Sequence, residues 1–246
     1  MLNYVKKLAA SVLLAGSVLF IAISAPNIHN HYLRYNVGSS VVQVLSPAGG
    51  GGTGFAIQAA SGTNYIATNR HVCESAINGW MVIKQDEGKP MFKRVVYKDS
   101  RHDLCLVEGD KRFKPLKLAN FEPEKGDFHY VIGHPGLRQL TVSQGEHIGY
   151  FNVEMLDLSA REKKQCLGKI IDLNILQQMF MGREWVCVRN FRSYSTTAVV
   201  YGGNSGSPVV NKYGSVIGVV FAGDPQQERN NFVVPLHELK RVLAKF

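Results

Sequence analysis

The chain has 246 residues, 45% of them hydrophobic, with 24 glycines and 28 Lys plus Arg against 19 Asp plus Glu, a formal charge of +9. This excludes a disordered or low-complexity chain, and the absence of any repeat of roughly 20 to 50 residues excludes solenoids and propellers. The positive charge is scattered, and its only short runs, Lys111, Arg112, Lys114 and Arg161, Lys163, Lys164, read as solvated surface, so no nucleic-acid partner is expected.

At the start, Lys6 and Lys7 precede an uncharged apolar run from Leu8 to Ala25. Its length lies between that of a signal-peptide core and a membrane span, so residues 1–26 read either as a signal peptide, with Ala22 and Ser24 at cleavage-site spacing, or as a retained membrane anchor. Both place the remainder outside the cytosol: periplasmic, secreted or membrane-anchored. Residues 27–39 read as a polar and aromatic connector.

From residue 40 the pattern becomes short β-rich runs divided by Gly, Asn, Asp and Pro, an all-β signature. The expected strands are Val41–Leu45, Thr53–Gln58, Asn64–Thr68, Met81–Lys84, Phe92–Tyr97, Leu104–Glu108, Phe128–Ile132, Thr141–Val153, Trp185–Arg192, Ala198–Val200, Pro208–Val210, Val216–Phe221 and Asn231–Val234. So many short strands imply a barrel or sandwich, with duplication. Two segments read as helical: an insertion over Glu154–Gln178, and a terminal helix over Leu236–Lys245 with Leu236, Leu239, Val242 and Leu243 at helical spacing. The four cysteines, Cys73, Cys105, Cys166 and Cys187, contain no C-x-x-C, so neither a metal nor a cofactor is expected.

Chemistry enters at Gly203-Asn204-Ser205-Gly206-Ser207-Pro208. Glycines flank a serine where the backbone turns sharply and aims N–H groups at a substrate carbonyl, although a plain surface turn uses the same residues. The α/β-hydrolase elbow needs Gly two residues after the serine, and Ser207 stands there. A serine hydroxyl needs a base, and the base needs a carboxylate to orient it. His71, in Thr68-Asn69-Arg70-His71-Val72, follows a strand-like run, and Asp103 stands at the entrance of the apolar run Leu104-Cys105-Leu106-Val107. No acid occurs before Glu74, so an acid, histidine, serine order cannot be built around His71. The serine, acid, histidine order would crowd Asp224 and His237 just behind Ser205. The order His71, Asp103, Ser205 remains.

On these residues the sequence resembles the trypsin-like (chymotrypsin-fold) serine peptidases over about Ser40–Phe246. Gly52-Thr53-Gly54-Phe55-Ala56-Ile57 is similar to the family's G-x-G-x-x-I, Thr68 to Val72 to its T-x-x-H-V, and Asp103-Leu104-Cys105-Leu106 to D-L-A-L apart from the cysteine. Val131 to Gly136 and Val142 to Gly149 resemble the second-barrel hairpin of bacterial HtrA-type and glutamyl-endopeptidase-type members. Gly203 to Pro208 resembles G-N-S-G-G-P, with Ser207 replacing a glycine. The resemblance implies two packed antiparallel six-stranded β-barrels with a C-terminal helix, barrel one over about 40–120 and barrel two over about 125–246, with an inserted segment at 154–184. No chain remains after the final helix for a PDZ domain, so a minimal relative is expected.

The function implied is a serine endopeptidase acting on polypeptides through an acyl-enzyme. His71 would be the base, Asp103 its orienter, Ser205 the nucleophile, and the Gly203 and Ser205 N–H groups the oxyanion hole. The alternative is an inactive peptidase-like scaffold that binds peptides. Asn204, where activated digestive members carry aspartate, argues against activation by a newly cut N-terminus. The primary pocket would be walled by Val199, Val200, Val220, Phe221 and Gly223 and would prefer small or medium apolar side chains, with Asp224 as the one residue able to admit a base. Four cysteines allow three pairings. Since a triad makes His71 and Asp103 neighbours, Cys73 and Cys105 could be close enough to bridge, with Cys166 and Cys187 then stapling the insertion; four buried reduced thiols are the alternative. The insertion itself reads as a lid, a partner surface or a plain loop.

Overall fold

A computed structural model describes residues 29–86, 88–99, 101–157, 160–223 and 231–246. The expected leader at 1–26 lies outside them, as does Asp224. Among the described residues no helix is long and apolar enough to cross a membrane.

Barrel one contains β1 (Val41–Leu45), β2 (Gly51–Gln58), β3 (Asn64–Asn69), β4 (Trp80–Lys84), β5 (Met91–Lys98) and β6 (Leu104–Glu108), closed in the order β1-β2-β3-β6-β5-β4. Closure leaves no sheet edge. Barrel two uses β7 (Phe128–Gly133), β8 (Thr141–Asp157), β10 (Trp185–Thr196), β11 (Pro208–Val210), β12 (Val216–Gly223) and β13 (Asn231–Pro235). Its sheet order is β13-β12-β11-β7-β8-β10-β9, and β13 pairs back onto β10, so six strands close and β9 (Lys169–Asp172) lies outside the ring.

The alternation of side chains in the strands divides the core. In β6, Cys105 and Val107 point into barrel one with Val44, Ile66, Met81 and Ile83, while Leu104 and Leu106 point the other way, against barrel two. Both faces of β6 are therefore dry, which is why its sequence is a continuous apolar run. In barrel two, Val131, Val209, Val220 and Val233 fill the interior around Tyr194, and their neighbours Ile132, Val210, Val219 and Val234 join the inter-barrel layer. The C-terminal helix α4 (Leu236–Leu243) buries Leu236, Leu239, Val242 and Leu243, as its spacing predicts.

Three expectations are corrected. The connector is helical at 29–36 (α1), because Leu33 and Val37, one turn apart, both fit into the inter-barrel layer. Ala198–Val200 is not a strand, since its groups bond to side chains rather than to a neighbouring strand. The insertion is only partly helical. β8 and β10 extend past the barrel as a paired ribbon as far as Asp157 and Cys187, β9 adds to the far side of β10, and helix is confined to Lys163–Gln165 and α3 (Ile175–Met181). The cysteines pair as Cys73 with Cys105 and Cys166 with Cys187, with Cα atoms 6.5 and 5.5 Å apart.

Candidate active site

The short helix α2 (Arg70–Glu74) begins where β3 ends and carries His71 in its first turn. Four contacts tie this turn to Asp103. Its Oδ1 accepts the His71 backbone N–H at 2.9 Å, and its Oδ2 lies 2.7 Å from His71 Nδ1. Its carbonyl accepts the Arg70 N–H and the Asn69 side-chain amide, each at 3.0 Å. Asp103 reaches all of them because it adopts a left-handed conformation, φ 53°, which aspartate tolerates better than most residues. The carboxylate is almost fully buried, so each oxygen needs a donor, and both have one.

Burial pulls the pKa of His71 down, but the hydrogen bond and charge of Asp103, with Glu74 adding, outweigh it, so the net shift is upward. With Nδ1–H donated to Asp103, Nε2 is left as the accepting nitrogen. The imidazole is about half exposed, 47% for the side chain, so that nitrogen can meet a substrate.

The turn carrying Ser205 is held against this pair through barrel one. The Thr53 N–H donates to the Ser205 carbonyl at 2.7 Å, and Thr53 Oγ1 donates to the Gly203 carbonyl at 2.8 Å while accepting the His134 N–H at 3.0 Å. Gly52 lies between the Ser205 carbonyl and a Val72 methyl, where any Cβ would collide with both. Gly206 has φ 87°, and a Cβ there would strike Thr53 and Thr68, the residue three before His71. Its N–H donates to Val220 O at 2.8 Å, and Val220 N–H returns a bond to Ser207 O at 3.0 Å. Gly203 has φ 96°, and a side chain there would run into His134 O and the Gly136 and Leu137 amides. Among the described residues no acceptor takes the N–H of Gly203 or of Ser205.

The structure thus joins His71 to Asp103 directly and holds the Gly203–Ser205 turn on Thr53 beside the Val72 side chain, one residue from His71, while among the described residues no hydrogen bond joins His71 to Ser205. It does not assemble the pocket side chains as expected. Val199 is 40% exposed, but Val200 and Val220 are buried in the barrel-two interior, and Phe221 packs 5.0 Å from the Phe191 ring between the barrels. Alternation along β12 explains this: residues that look like a pocket wall are core on both faces. Gly223 ends β12, paired with Asn231. The approach to the serine turn is fixed from below by Asn231 Nδ2 on Ala198 O at 2.7 Å and by Thr196 Oγ1, which accepts Ala198 N–H at 2.9 Å and meets His129 Nε2 at 2.6 Å. Burial, with the neighbouring His147, lowers His129 to about 4, so it is neutral at pH 7. The knitting role of Thr53 was not recognised in the sequence, where it stands only as the middle of a Gly-Thr-Gly strand.

A family model described as a trypsin-like peptidase domain matches residues 52–219, from the strand before the histidine to the strand behind the serine. The chain belongs to that family. Among curated trypsin-like relatives, the periplasmic serine endoprotease DegP of Salmonella typhimurium is 26% identical over 201 residues, covering 79% of this chain and 35% of the relative. The serine protease Do-like HtrA of Bacillus subtilis is 26% identical over 202 residues, covering 78% of this chain and 38% of the relative. The chain spans about a third of the length of these curated relatives. Among solved structures, the Rv3671c protease of M. tuberculosis in its active form superposes with a TM-score of 0.69 at 22% identity, covering 89% of this chain and 86% of that one. The serine endoprotease of Yersinia pestis gives a TM-score of 0.62 at 20% identity, over 88% and 66% of the two chains. These likenesses show a shared trypsin-like double-barrel fold.

Proposed function

We propose that the chain is a serine endopeptidase acting outside the cytosol, with His71, Asp103 and Ser205 as its triad. The observation that carries this reading is the two-point grip of the buried Asp103 carboxylate on both the backbone and the ring of His71. A histidine held only for packing would need partners on both ring nitrogens, whereas among the described residues His71 has Nδ1 bound and Nε2 free on a half-exposed side chain. Fixing both the tautomer and the direction of the free nitrogen is what a base serving a hydroxyl needs.

In the proposed mechanism Ser205 Oγ attacks the substrate carbonyl carbon as its proton passes to His71 Nε2. Asp103 stabilises the imidazolium so formed. The uncommitted N–H groups of Gly203 and Ser205 receive the negative oxygen, and one such donor contributes roughly 2.7 to 4 kcal/mol to the barrier reduction. His71 then gives the proton to the leaving amine, and water repeats the sequence to release the acyl group. The extracytoplasmic location draws on the periplasmic relatives and on the apolar run at residues 8–25.

The primary pocket is proposed to accept small or medium apolar side chains. Val199 of the expected wall is exposed, and the Ala198 turn beside it is bonded to neutral partners. The test is hydrolysis of casein and of a peptide library by the wild type and by Ser205→Ala. Turnover should fall by several orders of magnitude in the variant while its circular dichroism is unchanged. Substantial turnover by folded Ser205→Ala would refute the assignment.

A further inference from the structure

On the flank of the serine turn lies a cleft of about 640 Å³ whose walls come from both barrels. Arg34 reaches it from α1, Lys84 from β4 and Arg138 from the loop after β7; Asp86, Gln43 and Leu137 complete the part that matters here. Among the described residues none of the three cations is engaged in an ion pair or a side-chain hydrogen bond. The carboxylate in the lining, Asp86, meets the buried His134 Nε2 at 3.2 Å, and burial holds His134 below its ordinary pKa despite that partner. The described lining therefore carries three charges of one sign against one of the other. Low-dielectric walls around such a cleft concentrate the field and attract anions.

A second observation ties the cleft to the reaction centre. Leu137 has φ 56°, a left-handed conformation that a branched side chain rarely adopts. Strain of this kind persists only where the surroundings impose it, and it clusters at ligand clamps. Here the buried Gln43 imposes it, its amide donating to Leu137 O at 2.9 Å and to Arg138 O at 3.2 Å. The other end of the loop is bonded to the serine turn by Gly136 N–H on Gly202 O at 2.5 Å, and the Leu137 amide borders Gly203. The loop that confines the proposed oxyanion hole is thus also the wall that presents Arg138 to the cleft.

We infer that this cleft is an extended substrate subsite selecting acidic side chains at least two residues from the scissile bond. The inference rests on the proposed peptidase reading for its role, but its binding chemistry can be tested separately. A peptide bound across Ser205 is longer than the bond being cut, and a chain leaving over Leu137 and Arg138 enters a space where Asp or Glu finds three cations that have no ion pair among the described residues. Apolar specificity beside the bond and acidic specificity further away then reside on different walls.

The experiment measures binding of fluorescein-labelled dodecapeptides to the full chain carrying Ser205→Ala, so that cleavage cannot interfere. Three peptides differ only in four residues on one flank: Glu, Gln or Lys. At 50 mM salt the Glu peptide should bind about tenfold more tightly than the Gln peptide and more tightly still than the Lys peptide, an advantage that 300 mM salt reduces. The combined variant R34Q/K84Q/R138Q should lose that tenfold preference while keeping its thermal transition, since Arg34 and Arg138 are exposed and Lys84 partly so. Equal binding of the Glu and Gln peptides, or a preference unchanged in the triple variant, would overturn the inference, as would binding of a single-stranded oligonucleotide in place of the Glu peptide. With catalytically intact protein, kcat/KM on the same peptides separates the two readings. Cleavage without acidic preference removes the subsite alone, and acidic binding without any cleavage removes the peptidase reading alone.

Discussion

At the scale of the residue, the proposed chemistry depends on His71 being neutral when Ser205 attacks. Its pKa is raised above the ordinary histidine value by Asp103 and Glu74 against the opposing effect of burial. The log of kcat/KM should therefore climb with unit slope as pH rises and level off at a midpoint above about 6.5. Asp103→Asn should remove the charge that raises the midpoint and leave the ring free to take the wrong tautomer, lowering kcat by roughly 10⁴. Steady-state rates from pH 5 to 9 on both proteins check this; a midpoint unaffected by Asp103→Asn would mean that another group titrates.

A second histidine shifts in the opposite sense. His129 is held neutral in the fold, at about 4 against an ordinary 6.5, by burial and by His147. A histidine with a depressed folded pKa is protonated more readily in the unfolded chain. Its contribution is therefore neutral above about 6.5, and stability is lost as pH falls from about 6.5 toward 4. The full loss corresponds to about 3 kcal/mol. Urea denaturation at pH 7.5 and pH 4.5 should show His129→Gln with a smaller pH dependence than wild type, and equal dependence would reject the assignment. His71, raised rather than lowered, contributes with the opposite sign, so the comparison must be made between variants at each pH.

At the scale of the element, the Cys73–Cys105 bridge joins the helix that carries His71 to the strand that follows Asp103. Closing a loop with a sequence separation of 32 should restrict the unfolded chain by about 3 to 4 kcal/mol. Cys73→Ala/Cys105→Ala should thus melt roughly 10 °C lower. A melting temperature within a degree or two of wild type by calorimetry would show that the bridge is absent or idle.

That bridge was only partly legible: a triad would make His71 and Asp103 neighbours and bring the two thiols, 32 residues apart in sequence, near each other, but buried reduced thiols fit the sequence as well. Strands in contact with a core were also legible: β6 reads as a continuous apolar run because both of its faces are dry. β9 was not. All four of its residues are exposed, so neither alternation nor a hydrophobic run marks it, and backbone pairing to β10 with the Cys166–Cys187 staple holds it. α1 was missed because a single buried pair, Leu33 and Val37, is too little periodicity to reveal a helix in a polar stretch. The pocket wall was misread for a different reason: in a double barrel, valines before and after the nucleophile can serve either core, and only the pleat decides which way they face.

At the scale of the whole molecule, each barrel alone holds half of the proposed site. Asp103 and His71 stand on barrel one, Gly203 and Ser205 on barrel two, and Thr53 bonds across the seam to the Ser205 and Gly203 carbonyls and to the His134 amide. Thr53→Val preserves shape but removes the two hydroxyl bonds, leaving the part-buried Gly203 carbonyl and the buried His134 N–H without that partner. The expected cost is about 1 to 3 kcal/mol for each group left unsatisfied. If the seam positions the serine turn, kcat should fall more than tenfold with KM little changed. A loss of stability with kcat unaltered would make Thr53 structural only.

Whether Ser205 is an activated nucleophile is read out by covalent labelling of the full chain with a fluorophosphonate probe, because only a serine whose proton has a base to accept it reacts at a useful rate. A single adduct is expected, located on Ser205 by mass mapping and lost in His71→Ala although that variant remains folded. A folded wild-type protein that takes up no probe, or an adduct on any other residue, would contradict that reading.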